Sequence, residues 1–494
     1  MTDSNEADDA RDSSGSGLSR RAAMKTVGAA GAGALVPFGI GSAAGQSSGG
    51  TIDDALDTSS DSSQEVLVVF ETIDDTSLLE DFDLANGYHA FEVLPIAYTE
   101  LTGTQIEEVA GDATVRYVEK NKELDYHNDD AREVTGAGTV QTDLGYSGES
   151  VHSVVIDSGI DGTHPDHQEN LVGHWRYVNP LSSSDGTIWL PASDADTDDN
   201  GHGTHTSGTV AGDGSASDGH WRGMAPAADL TVYSAGLSLF VVKAVAAFDH
   251  MLARKRAGET DVQVVSNSYG SSGPEDFNPD GSLEVATWES FKQNVLPVFS
   301  AGNSGPGTNT LNAYTKAPHV LGVAANKDNK TVTDFSSRGR KPSYDGETNY
   351  DRKEALGNLE TYYESGDASG PLGIYRNGVG APGNAVMSTM GPTDPLQGLN
   401  PDDEPFYAAI SGTSMSCPGI AGIATLVIDA ARQNGEGTPD SIDVLKTIEA
   451  TADDALDSYN PWNIGTGFVD AVDAVSRAEK GQFASFGQIK LVDY

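Results

Sequence analysis

Gly412-Thr413-Ser414-Met415-Ser416-Cys417-Pro418 runs through Gly419 into Ile420-Ala421-Gly422-Ile423-Ala424-Thr425-Leu426-Val427-Ile428. The second stretch is apolar on every side, which predicts a buried helix with Ser414 at its mouth. There the serine hydroxyl and backbone N–H face the positive end of the helix dipole, where developing negative charge is stabilised. Two other segments complement it. Val154-Val155-Ile156-Asp157-Ser158-Gly159 is an apolar strand that ends in a carboxylate. Asn200-Gly201-His202-Gly203-Thr204-His205 is a glycine-rich lead-in to a second helix. Asp157, His202 and Ser414 supply the three roles of a nucleophilic triad: orienter, general base and nucleophile. Apolar strands at 151–156, 229–233, 262–266, 295–299 and 319–324 alternate with helix-like stretches at 204–211, 238–257, 281–293, 415–433 and 438–450. That alternation predicts an α/β fold, a mostly parallel sheet with helices on both faces. Such sheets place their sites at strand C-terminal ends and helix N-termini, where Asp157 and His202 fall.

The three segments, in the order Asp, His, Ser, resemble the subtilisin-like serine proteases, the subtilases. Ser416 stands where a G-x-S-x-G motif would need its last glycine, so the α/β-hydrolase pattern does not match. Val298-Phe299-Ser300-Ala301-Gly302-Asn303-Ser304-Gly305-Pro306 resembles the family's oxyanion strand, which implies that Asn303 points its amide at a tetrahedral oxyanion. Val265-Ser266-Asn267-Ser268-Tyr269-Gly270 resembles the strand that pairs with substrate backbone. Ser268, Tyr269 and Gly270 on one side, and Ser300, Ala301 and Gly302 on the other, are thereby the expected substrate clamps. The resemblance implies a serine endopeptidase acting on proteins or peptides. It implies broad specificity, because backbone pairing is nearly blind to side chains, and no cofactor for the chemistry. Rival readings are a silent peptide-binding relative and an esterase with the same triad. The chain departs from the family at Cys417-Pro418-Gly419, where Ser-Pro-His is usual, and at Ser271, where a second glycine is usual.

The chain has 494 residues and a net charge of −45, from 74 acidic against 29 basic residues. This balance argues against nucleic acid and anionic membranes as partners. The acid is spread through segments with clear apolar periodicity, so it reads as the surface of a folded, salt-adapted protein. A secreted, halolysin-like monomer without a C-terminal extension domain is expected. Leu18-Ser19-Arg20-Arg21 and the Ala/Gly stretch after it read as a twin-arginine signal over 1–45, removed on export, with no membrane span in the mature form. Cys417 is the only cysteine and reads as a small buried helix residue.

Residues 46–64 read as a linker. Residues 65–127 follow a β-α-β-β-α-β order, the split βαβ of a small α+β ferredoxin-like unit. Its place before the catalytic unit (128–494) resembles that of the subtilase propeptide, an intramolecular chaperone and inhibitor. The segment 338–378 is an insertion without a strong period. The resemblance makes Asp166 a candidate calcium ligand, and Asp194, Asp196, Asp198 and Asp199 form a second oxygen-rich candidate. His164, His167 and His174 lack ligand spacing and read as surface or structural residues, and His205 as a packed neighbour of His202.

Overall fold

The computed structural model describes residues 50–126, 132–182, 186–367, 369–399 and 405–493. The expected signal segment and residues 127–131 lie outside the described residues. The N-terminal unit contains β1 (Thr51–Ile52), β2 (Gln64–Phe70), β3 (Tyr88–Ala90), β4 (Ile96–Leu101), α1 (Gly103–Ala110) and β5 (Val115–Lys120). Its strands line up as β1-β5-β2-β4-β3. From β2 onward every neighbouring pair is antiparallel, the ferredoxin-like arrangement. Thr102 caps α1 through the reciprocal bonds of a capping box with Gln105. The first helix of the expected β-α-β-β-α-β order is a 3-10 helix over Ile73–Asp81. The linker reading of 46–64 needs correction. Thr51 and Ile52 pair with β5, and Leu56 is buried in the unit's core, so a polar composition concealed one added edge strand.

β6 (Glu123–Tyr126) leads out of this unit. The larger unit supplies β7 (His152–Asp157), β8 (Leu171–Tyr177), β9 (Trp189–Pro191), α2 (His202–Ala211), β10 (Asp229–Ser234), β11 (Leu239–Phe240), α3 (Val241–Arg256), β12 (Val262–Asn267), β13 (Tyr269–Gly270), α4 (Ser282–Lys292), β14 (Leu296–Ser300), β15 (Leu321–Asn326), α5 (Arg352–Ser365), β16 (Val379–Pro382), β17 (Val386–Thr389), β18 (Tyr407–Ile410), α6 (Thr413–Gln433), α7 (Ser441–Thr451) and α8 (Ala471–Ala478). Eight of these strands form one sheet in the order β16-β15-β14-β12-β7-β10-β8-β9. All its pairings are parallel except β8 with β9.

Burial on both faces explains why β7 is apolar without alternation. Val155 packs with α6, α7 and α8 on one side of the sheet, while Val154 and Ile156 pack with α3 and α4 on the other. The second layer continues into the N-terminal unit. Leu67, Val69, Phe91, Leu94, Ile96 and Tyr98 join Val241, Val245, Phe248 and Leu283 in one apolar cluster. Polar contacts fix the docking. Asn121 Oδ1 accepts from Val242 N at 2.9 Å, and Glu119 Oε2 accepts from Ser282 N at 2.7 Å. Each thereby satisfies an orphan donor in the first turn of α3 or α4. Asp249 accepts from the N–H groups of Glu92 and Val93 at 2.9 and 2.8 Å.

The insertion folds around arginines. Arg352 and Arg376 are both buried against Glu449, with Arg352 Nη2 at 2.6 Å and Arg376 Nη1 at 2.9 Å from Oε1. Arg340 lies between the rings of Tyr375 and Tyr344, 4.0 and 4.5 Å from their centroids. The buried face of α5 is Arg352, Ala355, Leu356 and Leu359. A charged residue on the buried face erases the hydrophobic period by which the helix would have been found.

Candidate active site

Asp157 closes a strand of the sheet while His202 and Ser414 stand at the start of helices, the positions where such sheets place their sites. Asp157 is the last residue of β7 and fully buried. Its Oδ1 accepts from Ser158 N at 2.7 Å, and its Oδ2 accepts from Thr206 Oγ1 at 3.2 Å. His202 opens α2, and its Nδ1 lies 2.5 Å from Asp157 Oδ1. Gly201 holds a left-handed φ of +96° before it, and a Cβ there would strike Met390 Sδ at 2.2 Å. That explains why glycine leads into the helix.

Ser414 is the second residue of α6. Pro418 four residues on has no N–H to give back to the Ser414 carbonyl, so that acceptor needs another donor. Ser268 supplies it, with its Oγ donating to Ser414 O at 2.7 Å. In return Ser414 Oγ donates to Ser268 O at 2.9 Å. The expected substrate strand and the expected nucleophile are thereby locked together. Asn303 Oδ1 accepts from both Thr413 N and Thr413 Oγ1, at 2.9 and 3.1 Å. With its oxygen so engaged, the amide presents Nδ2 as its donor. Asn303→Leu is expected to lower kcat by about 10²–10³ with little change in KM, the scale known for this donor in subtilisin-type sites; single-turnover and steady-state kinetics on one peptide check it.

Of the two expected substrate strands, only Tyr269–Gly270 pairs with β6, and a residue without a motif joins the two. Asn312 is fully buried, and its Nδ2 donates to Tyr269 O and to Ser300 O, both at 2.9 Å. Nothing in Leu311-Asn312-Ala313 signals this role. The only hint is Gly270, where a Cβ would collide with Asn312 Nδ2 at 2.0 Å. In place of the glycine usual after Gly270, Ser271 accepts from Ala313 N at 2.8 Å and continues the same wall. β6 runs antiparallel between β11 and β13, pairing Leu124 with Leu239 and Glu123 with Phe240 on one side, and Tyr126 with Tyr269 and Asp125 with Gly270 on the other.

The remaining candidates are structural. Asp198 Oδ2 accepts from Thr204 N and Oγ1 at 2.7 and 2.8 Å, so it secures the first turn of α2. Asp394 lies beside it, and burial followed by the charges of Asp198, Asp196 and Asp161 pushes its carboxyl up to about 7. Among the described residues no group of three or more His, Cys, Asp or Glu is placed to hold a metal. Asp166, the expected calcium ligand, is fully buried and hydrogen-bonded. The Tyr407 hydroxyl lies 3.0 and 2.8 Å from its two oxygens, and Ala216 N donates to Oδ1 at 2.8 Å. His164, His167 and His174 are buried and hydrogen-bonded to Phe406 O, Thr389 Oγ1 and Ser193 O, which excludes the surface alternative. His205 faces the carbonyls of Val386 and Ala408, and burial brings its pKa down to about 3.

Gly419 leaves room for Met224, whose Cε lies 3.6 Å from where a Cβ would stand. Cys417 is fully buried with Sγ 3.5 Å from Asn267 O, and burial pushes the thiol up to about 12. The native protein is therefore expected to resist iodoacetamide at pH 8, with stoichiometric labelling only after denaturation, as mass spectrometry would read.

Comparison with known proteins agrees with this geometry. Residues 151–469 match the model of the subtilase family. Serine protease AprX of Bacillus subtilis is 26% identical over 401 residues, covering 78% of this chain and 80% of the relative. M-protease of Shouchella clausii is 27% identical over 371 residues, covering 74% and 77%. Among solved structures, fervidolysin from Fervidobacterium pennivorans aligns with a TM-score of 0.60 at 18% identity, covering 87% of this chain and 64% of its own. Sphericase aligns with a TM-score of 0.50 at 24% identity, covering 66% and 92%. At these identities the two structures speak for the fold alone.

Proposed function

The chain belongs to the subtilase family and is a serine endopeptidase, and from that premise we propose that it is exported as a zymogen, cuts itself free of its N-terminal unit and works on proteins at high salt. The observation that carries the zymogen reading is β6, a strand of the chain itself held antiparallel between β11 and β13. An extended peptide added to both cleft edges is how a substrate of this site would lie. The helix-capping contacts of Asn121 and Glu119 support the same reading, because they fasten the N-terminal unit to the two helices flanking the cleft.

In the proposed reaction the Ser414 hydroxyl turns from Ser268 O and attacks the scissile carbonyl. His202 Nε2 takes the proton and later gives it to the leaving amine. Asp157 holds Nδ1–H of the ring and stabilises the imidazolium. Asn303 Nδ2 and the Ser414 N–H receive the oxyanion at the positive end of α6. Tyr269–Gly270 and Leu239–Phe240, the two strands that β6 pairs with, hold substrate by its backbone, which supports broad specificity. No step requires a metal. The silent-relative and esterase readings have no observation in their favour.

Export by a twin-arginine signal rests on Arg20-Arg21, and salt adaptation on the charge of −45. The test is expression of the whole chain in molar salt with intact mass followed over time. The expected product is a mature N-terminus between Asp125 and Arg132, with an uncut precursor persisting in Ser414→Ala. Secreted wild-type protein that still begins near Gly45 would overturn the zymogen reading.

A further inference from the structure

The insertion helix meets the N-terminal unit at a cation. Arg116, on β5, donates to Asp280 Oδ1, and its guanidinium lies 5.4 Å from the centre of the Tyr363 ring. Tyr362 Oη donates to the other oxygen, Asp280 Oδ2, at 2.6 Å. Tyr363 Oη donates to Pro279 O, and its ring stacks on Trp288 at 4.9 Å and 22°. The Arg116 and Asp280 side chains are only 14% and 18% exposed. Tyr362 and Tyr363 both belong to α5, and Asp280 stands two residues before α4.

We propose that the insertion is a docking element: Asp280, Tyr362 and Tyr363 form a socket for Arg116 that retains the N-terminal unit on the enzyme after the chain is cut. The proposal rests on reading that unit as an inhibitory propeptide. The chemistry suits the medium. An exposed ion pair is screened at a Debye length of roughly 3 Å in molar salt. A planar guanidinium laid on an aromatic face and paired with a desolvated carboxylate keeps much of its attraction there. In a chain with 74 acidic and 29 basic residues, an arginine enclosed by two tyrosines and one aspartate is also a selective use of scarce positive charge.

The test uses the full-length chain in molar NaCl. After processing begins, the lag before peptidase activity appears is measured, together with co-elution of the two pieces on size exclusion. Arg116→Ala leaves the mature enzyme's sequence untouched, and it is expected to shorten the lag about tenfold, the scale of a half-buried cation–π contact with its ion pair. Tyr363→Ala is expected to do the same, the double variant no more than either, and Arg116→Lys to fall between. The final activity, reached once the N-terminal piece is degraded, normalises each lag for the yield of folded enzyme. Asp280→Asn replaces Tyr363→Ala should that variant give no final activity. Wild-type-like lags in Arg116→Ala and in the enzyme-side variant, or strictly additive effects in the double, overturn the socket and leave the propeptide reading standing. A wild-type chain that shows neither cut nor lag overturns the propeptide reading itself.

Discussion

Ser414→Ala is expected to lower peptide turnover by about 10⁶, the loss found when the serine or histidine of a subtilisin triad is removed. The geometry explains so large a number. Ser414 Oγ is the only atom here that forms the acyl bond, and His202 has no task once that bond cannot form. The two act as a unit, so His202→Ala should cost nearly as much and the double variant little more. What survives, about 10³–10⁴ over water, is what Asn303, the α6 dipole and backbone clamping supply without covalent catalysis. Asp157→Asn should stay above both, because the imidazole base remains although its tautomer is wrong. Active-site titration with a fluorophosphonate, followed by kcat on one peptide, checks the order. A Ser414→Ala protein with wild-type turnover, free of contaminating protease, would refute the assignment.

Much of this site was legible because its chemistry is local in the chain. The carboxylate closes a strand whose Val154, Val155 and Ile156 are buried on both faces. The histidine and serine each stand at the start of a helix, and glycine precedes both helices where a side chain has no space or the wrong φ. What escaped is relational. Asn312 matters because it bridges Tyr269 and Ser300, residues 43 and 12 positions away, and no local pattern encodes that. Asp198 sits in a run of acids that reads as cation-binding, yet its oxygens go to Thr204 and Ser158. Asp166 has a remote partner too, since Tyr407 comes 241 residues later. β8 was missed because Leu171–Tyr177 is mostly half-exposed and carries His174 and Arg176, so neither period shows. α5 was missed because an arginine stands on its buried side.

Transfer from molar NaCl to dilute buffer is expected to abolish activity and the cooperative thermal transition together. A chain of charge −45 repels itself when folded. At 0.01 M salt the Debye length is roughly 30 Å, comparable to the domain, so every surface carboxylate feels many others. At 1 M it is roughly 3 Å, and only neighbours in contact interact. Unfolding moves the charges apart, so dilution lowers the free energy of the unfolded chain relative to the folded one. Salts excluded from protein surface also strengthen apolar burial, and that effect has the same sign. The structure adds particular strain. Asp394 is crowded by Asp161, Asp196 and Asp198 close to His202, and burial with these charges pushes its carboxyl up to about 7. Its raised pKa means that the folded state holds a proton the unfolded state releases, so this contribution is present at low pH and is lost as pH rises through about 7. Dilution should therefore inactivate faster at pH 8 than at pH 6, and Asp394→Asn should remove part of that difference. The measurement is residual activity against time after dilution into low salt at both pH values, with millimolar calcium held constant to separate charge screening from loss of an ion. Full activity retained for hours under those conditions would show that the acidic surface does not govern stability.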